Sequence, residues 1–116
     1  MDEGQRDAEL LALILELAAM IDRRLGPISR EKFEDDHDEI DLTSFRLAHI
    51  GEASRKLSDA LKARHPEIAW KGAYAMRNLI SHDYVAIDPR LIWTTAKQEI
   101  AKLVDVCRQE LDRLKS

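Results

Sequence analysis

Between Arg77 and Tyr84 the chain reads RNLISHDY, and four of these eight side chains can do chemistry. They are the guanidinium of Arg77, the carboxamide of Asn78, the imidazole of His82 and the phenol of Tyr84. Imidazole is the side chain that takes up and returns protons at neutral pH. A guanidinium stays charged, and its planar fork fits phosphate oxygens. Phosphodiester cleavage suits the set. RNA carries its own nucleophile, the ribose 2′-hydroxyl, so an imidazole to take its proton and an arginine to stabilise charge on phosphorus require no metal and no cofactor. Asn78 would support the pair by orienting the imidazole. A plainer reading uses the same residues: Arg77 in a cap or salt bridge, His82 ending a helix, Tyr84 packing.

The positions of these groups depend on the helix that carries them. At 100° per residue, Arg77 and His82 lie about 140° apart on a straight helix. Either the helix loosens near Ser81-His82, or the two groups line a cleft that something else completes. A second copy packed about a two-fold axis is the economical candidate. The expected helix spans Trp70 to His82, with Ala69, Ala73, Met76 and Ile80 as its apolar stripe.

Three other long helices are expected. The first runs from Arg6 to Leu25, with a seam of Leu10, Ile14, Leu17 and Ile21 widened by Leu13 and Met20. Gly26-Pro27 ends it, the glycine suited to a left-handed cap. A short turn or helix follows at Ser29 to Glu34, with Phe33 turned inward, and then an acidic, solvated loop. The second long helix starts near Asp38 to Asp41 and ends before Pro66, where HPEIAW makes a connector. Its seam is Leu47, Ile50, Ser54, Leu57 and Leu61, and Phe45, His49 and Glu52 lie on another face. The last begins at Asp88-Pro89, an N-cap followed by a proline at the first helical position. It runs to Leu114 through Ile92, Ala96, Ile100, Leu103, Cys107 and Leu111. No stretch alternates with period two. The expectation is an all-α, antiparallel up-and-down four-helix bundle with one short extra helix or turn, filling residues 1–116 as a single domain.

Composition narrows the class. The longest uncharged apolar run, Leu10 to Leu15, is far short of a membrane span. The acidic start MDEGQRDAE does not read as a secretory signal. The lone Cys107 allows no internal disulfide and reads as a small buried hydrophobe. A cytoplasmic protein is expected. The net charge of −4 hides an asymmetry: residues 31–41 carry net −6 and residues 55–77 net +4. A polyanion would choose the second stretch, which runs into the motif. Asp35, Asp36, His37 and Asp38 are consecutive, so they converge poorly on a metal ion. Trp70 and Trp93 read as packing anchors.

The segment Arg77–Tyr84 resembles the RxxxxHxY signature of the HepT-like branch of the HEPN superfamily, with Asn78 as the polar residue after the arginine. The resemblance extends through IGEASRKLS (Ile50 to Ser58), HPEIAW (His65 to Trp70), AMRN (Ala75 to Asn78) and Ile87, Asp88 and Leu91 to Trp93. Asp83 stands where a small or neutral residue is usual, and Val85-Ala86 replaces a frequent aromatic-glycine pair. What the resemblance implies is a homodimeric HEPN-type bundle holding Arg77 and His82 as catalytic residues in a shared cleft. It would be a metal-independent endoribonuclease and the toxin of a type VII-like toxin–antitoxin pair. Its partners would be an RNA substrate and a small nucleotidyltransferase antitoxin of the MntA type, which silences the toxin by adding AMP to Tyr84. The added phosphates would bring negative charge and bulk to the place where RNA binds. Two other readings use the same residues: a non-catalytic helical subunit that docks a minimal nucleotidyltransferase, and a bundle whose motif serves packing alone.

Overall fold

The structure is a computed structural model that describes residues 2–115. It is all-α among those residues, and four long helices form the bundle. Helix α1 (Glu3–Leu25) is followed by the short α2 (Arg30–Glu34), then α3 (His37–Lys56), the short α4 (Asp59–Ala63) and α5 (Trp70–Asp83). A 3₁₀ turn (Tyr84–Ala86) leads to α6 (Pro89–Thr94), which passes through a π turn (Thr95–Glu99) into α7 (Ile100–Lys115). Contacts at the helix ends establish the antiparallel order. Arg24 at the end of α1 hydrogen-bonds Glu39 at the start of α3, with Nε to Oε1 at 3.0 Å, while Asp7 near the start of α1 reaches Ser58 beyond the end of α3. Lys97 reaches the Leu25 carbonyl at 3.4 Å, which sets the last helix antiparallel to α1.

The core sits between α1, α3 and α7. Of the expected seam, Leu47, Ile50 and Ser54 are buried on α3, and Leu57 and Leu61 are buried beyond its end. On α1 the seam differs from expectation. Leu11, Ile14, Ala18, Ile21 and Leu25 are buried, whereas Leu10 and Leu17 flank them half-buried and Leu13 is 41% exposed. Because α1 faces both α3 and α7, its stripe centres between them, on the 4-3-4-3-4 series that starts at Asp7.

Four further corrections follow. Gly26 is right-handed (φ −54°, ψ −46°), and its N–H donates to the Asp22 carbonyl at 2.8 Å; Pro27 ends the helix. The acidic stretch is mostly helical. Asp36 caps α3 by accepting from Glu39 N at 3.2 Å, and Asp38 and Glu39 fill a first turn whose dipole favours carboxylates. The second long helix stops at Lys56, because Leu57 turns extended and Ser58 caps a new short helix. The buried carboxylate of Asp7 fixes that break, accepting from Ser58 N at 2.9 Å and Ser58 Oγ at 2.6 Å. Finally, the last helix carries a π turn closed by Ile100 N–H donating to the Thr95 carbonyl. Its wider spacing keeps Ile92, Ala96 and Ile100, four apart each, on one buried line, and the line fades at Leu114, which is exposed.

The helix that carries the motif is the least embedded. No residue of α5 is buried, and its packing is chiefly against α3. Gly51 lets the two helices approach, since a Cβ there would lie 2.7 Å from the Ala73 carbonyl oxygen and 2.8 Å from Arg77 Cβ. The connector before α5 is anchored by His65, which is buried with Nε2 2.6 Å from Glu110 Oε2, and by Trp70 Nε1, which donates to the His65 carbonyl at 3.0 Å.

Candidate active site

The α-helix continues past Ser81-His82 and the backbone leaves the helical region only at Asp83 (φ −145°, ψ 33°), so the angle of about 140° between Arg77 and His82 stands. The two side chains have opposite environments. Arg77 is two-thirds covered and tied to α3: its Nε lies 3.5 Å from Glu52 Oε2. Its Nη1 donates to Asn78 Oδ1 at 3.0 Å, so Asn78 steadies the guanidinium rather than the imidazole. His82 is exposed and makes no hydrogen bond or ion pair among the described residues. A single protomer therefore presents a braced cation and a free imidazole on different sides of one helix.

Tyr84 follows at the start of the 3₁₀ turn, half-buried against the core. Its hydroxyl donates to Asp41 on α3. Burial first, and then the carboxylate of Asp41, raise the phenol above its ordinary value. Sequence reasoning gave Asp41 no role; its register on α3, eleven residues before Glu52, is the signal that places both carboxylates along the side of α3 that meets α5.

Glu52 is the centre of a larger cluster. It accepts from Arg55 Nη2 at 2.7 Å as well as pairing with Arg77, and these cations, Arg55 above all, hold its carboxyl below the usual range. Both guanidiniums lie over the Tyr74 ring, Arg55 at 5.4 Å and Arg77 at 5.9 Å from its centroid. His49, the other polar candidate on α3, is exposed with its ring 4.5 Å from that of Phe45, which is itself 61% exposed.

The remaining candidates are structural. Cys107 is fully buried, and burial pushes its thiol up to about 12. Trp93 packs on Phe33 at 5.3 Å and carries Lys97 over its ring. Among the described residues no three His, Cys, Asp or Glu side chains gather to hold a metal ion, and no helix is long and apolar enough to cross a membrane. An apolar groove of about 390 Å³ opens on another flank of α5, where Ala73 and Met76 face Ile100 and Leu103; the motif residues do not line it.

A helical bundle with a braced arginine and a free histidine on one helix defines the protein's class, and comparison with known proteins gives the family. The chain belongs to the Ribonuclease HepT-like family, whose model matches residues 14–110. Over 57 residues it is 41% identical to a protein of Thermococcus cleftensis named "Probable ribonuclease HepT", covering 49% of this chain and 52% of that one. A provisionally named RNase of Methanocaldococcus jannaschii is 35% identical over the same length, with the same coverage. The chain thus aligns with about half the length of each of these two relatives. A provisionally named RNase of Caldanaerobacter subterraneus is 29% identical over 102 residues, covering 88% of this chain and 91% of that one. No solved structure matches significantly.

Proposed function

We propose that the protein is a metal-independent endoribonuclease that works as a homodimer. The observation that carries this reading is the contrast between Arg77, braced by Glu52 and Asn78, and His82, exposed and without a partner among the described residues. A cation held in place stabilises the charge of a pentacoordinate phosphorus without reorganising, and a free imidazole can meet substrate. Since one helix aims the two groups apart, a second copy completes the cleft, Arg77 of one chain facing His82 of the other across RNA. His82 takes the 2′-hydroxyl proton, the 2′-oxygen attacks phosphorus, and the P–O5′ bond breaks. The second copy's His82 returns a proton to the leaving 5′-oxygen. The test is incubation of the purified protein with single-stranded RNA in excess chelator. Cleavage leaving 2′,3′-cyclic phosphate and 5′-hydroxyl ends is expected; intact RNA, or other ends, overturns the reading.

As the toxin of a type VII-like pair, the protein would be neutralised by a nucleotidyltransferase of the MntA type acting on Tyr84. The Asp41 hydrogen bond supports this part, because it points the phenol at a group able to take its proton. The tyrosyl oxygen attacks the α-phosphorus of ATP, pyrophosphate leaves, and Asp41 accepts the proton. Co-expression with such an enzyme is expected to add AMP-sized increments to the intact mass, absent in Tyr84→Phe. An unchanged wild-type mass would remove the modification. It would favour neither the ribonuclease nor the alternative reading as a docking subunit, which the chelator assay separates.

A further inference from the structure

Resting on the ribonuclease reading, we infer that Arg55 binds the phosphate next to the scissile one, so that RNA lies along the α3–α5 groove from the second copy's His82 past Arg77 towards Tyr74. No part of the eight-residue motif includes Arg55; it comes from the other helix and is brought in by Glu52. Glu52 engages the Nη2 and Nε edge of Arg55, at 2.7 and 3.5 Å, and the Nε of Arg77 at 3.5 Å. Among the described residues no acceptor meets Nη1 of Arg55 or Nη2 of Arg77, so both forks keep N–H donors for a ligand. One carboxylate between two guanidiniums leaves net positive charge, and Arg55 is about half exposed.

The Tyr74 ring fixes the spacing. It sits beside both cations, one helical turn before Arg77 and two before His82, and spaces the two forks. A lone surface arginine would be solvated and mobile, whereas this one is held on two sides by Glu52 and Tyr74. The arrangement suits consecutive phosphates on one strand: the motif takes the reacting phosphate, Arg55 its neighbour. Arg55 and Arg77 are the two ends of the net-positive stretch 55–77.

Two measurements on the full chain test the assignment. The first compares kcat/KM of wild type and Arg55→Ala on a dinucleoside monophosphate, which has only the reacting phosphate, and on a twelve-residue RNA. The loss on the longer RNA is expected to exceed that on the dinucleotide by about tenfold, mostly in KM. Equal losses would mean that Arg55 acts only by bracing Arg77 through Glu52, and would overturn the assignment. The second measures binding of a non-cleavable 2′-O-methyl oligonucleotide across salt concentrations. Removing one phosphate contact lowers the log–log salt slope by about 0.7 for a single strand, and Arg55→Lys is expected to retain the slope. An unchanged slope in Arg55→Ala, or no binding by the wild type, overturns the assignment. Binding with the expected slope change but no cleavage by the wild type would retain the phosphate site and sink the ribonuclease reading alone.

Discussion

Alanine at His82 is expected to reduce RNA cleavage by roughly 10²–10⁴-fold while leaving the melting temperature almost unchanged. The rate loss follows from removing the group assigned to move the proton of the 2′-hydroxyl. The unchanged stability follows from the structure: His82 is exposed, and no described residue bonds to it. Surface changes of that kind stay within about 0.5 kcal/mol. Cleavage assays in chelator, paired with thermal melts of both proteins, read the two quantities separately. A variant that still cleaves would show that the imidazole is a bystander, and one that melts early would show that it supports the fold. Arg77→Ala does not offer this separation, because it also leaves Glu52 with only Arg55 and strips α5 of a tie to α3.

The second large effect lies far from the site. Glu110→Ala is expected to destabilise the protein by about 3–5 kcal/mol, lowering the melting temperature on the order of 10–20 °C. Glu110 is buried, with Oε2 2.6 Å from His65 Nε2 and Oε1 2.6 Å from Arg64 Nη2. Its loss leaves the buried imidazole of His65 without its nearest partner and frees the connector that delivers the chain to α5. Arg64 is 36% exposed and recovers water, so most of the loss arises on the His65 side. The pH dependence has a definite sign. The Arg64 hydrogen bond above all, and then His65, hold the Glu110 carboxyl below its ordinary value of 4.5. A depressed carboxylate contributes stability that is present above the unfolded value and fades as pH falls through the folded one. Wild type is therefore expected to lose melting temperature on acidification below about pH 4.5, and Glu110→Gln to lose less over the same range. Parallel curves for the two proteins would show that Glu110 does not drive the acid transition.

Long periodic stretches were legible in the sequence because burial on one face imposes the helical period. The α3 seam and the Asp88-Pro89 helix start needed nothing more. Breaks were less legible, because their causes are distant in the chain. Helix α3 ends at Lys56 on account of Asp7, 51 residues before Ser58, and no local breaker marks the place. Asp7 and Glu110 did leave a trace: each is an acid on an otherwise apolar stripe, and each is buried with partners from elsewhere in the chain. At the site, Arg77, Asn78, His82 and Tyr84 could be named from type and spacing. Of their partners, Glu52 could be read as a polar residue of the second helix able to face the site, but Arg55, Tyr74 and Asp41 could not be assigned, since the pairing depends on how α3 and α5 register across Gly51.

Helix α5 has no buried residue, and Ala69 at its start provides no side-chain cap. Cooperative opening units are drawn from the segments with the fewest interior contacts. Amide protons along α5 should therefore exchange with solvent well before those of α1, α3 and α7, and the candidate site residues would then ride on a unit that opens while the rest of the protein stays native. Whatever docks against α5 would set its rigidity, and with it the fraction of time in which the guanidinium and imidazole are poised.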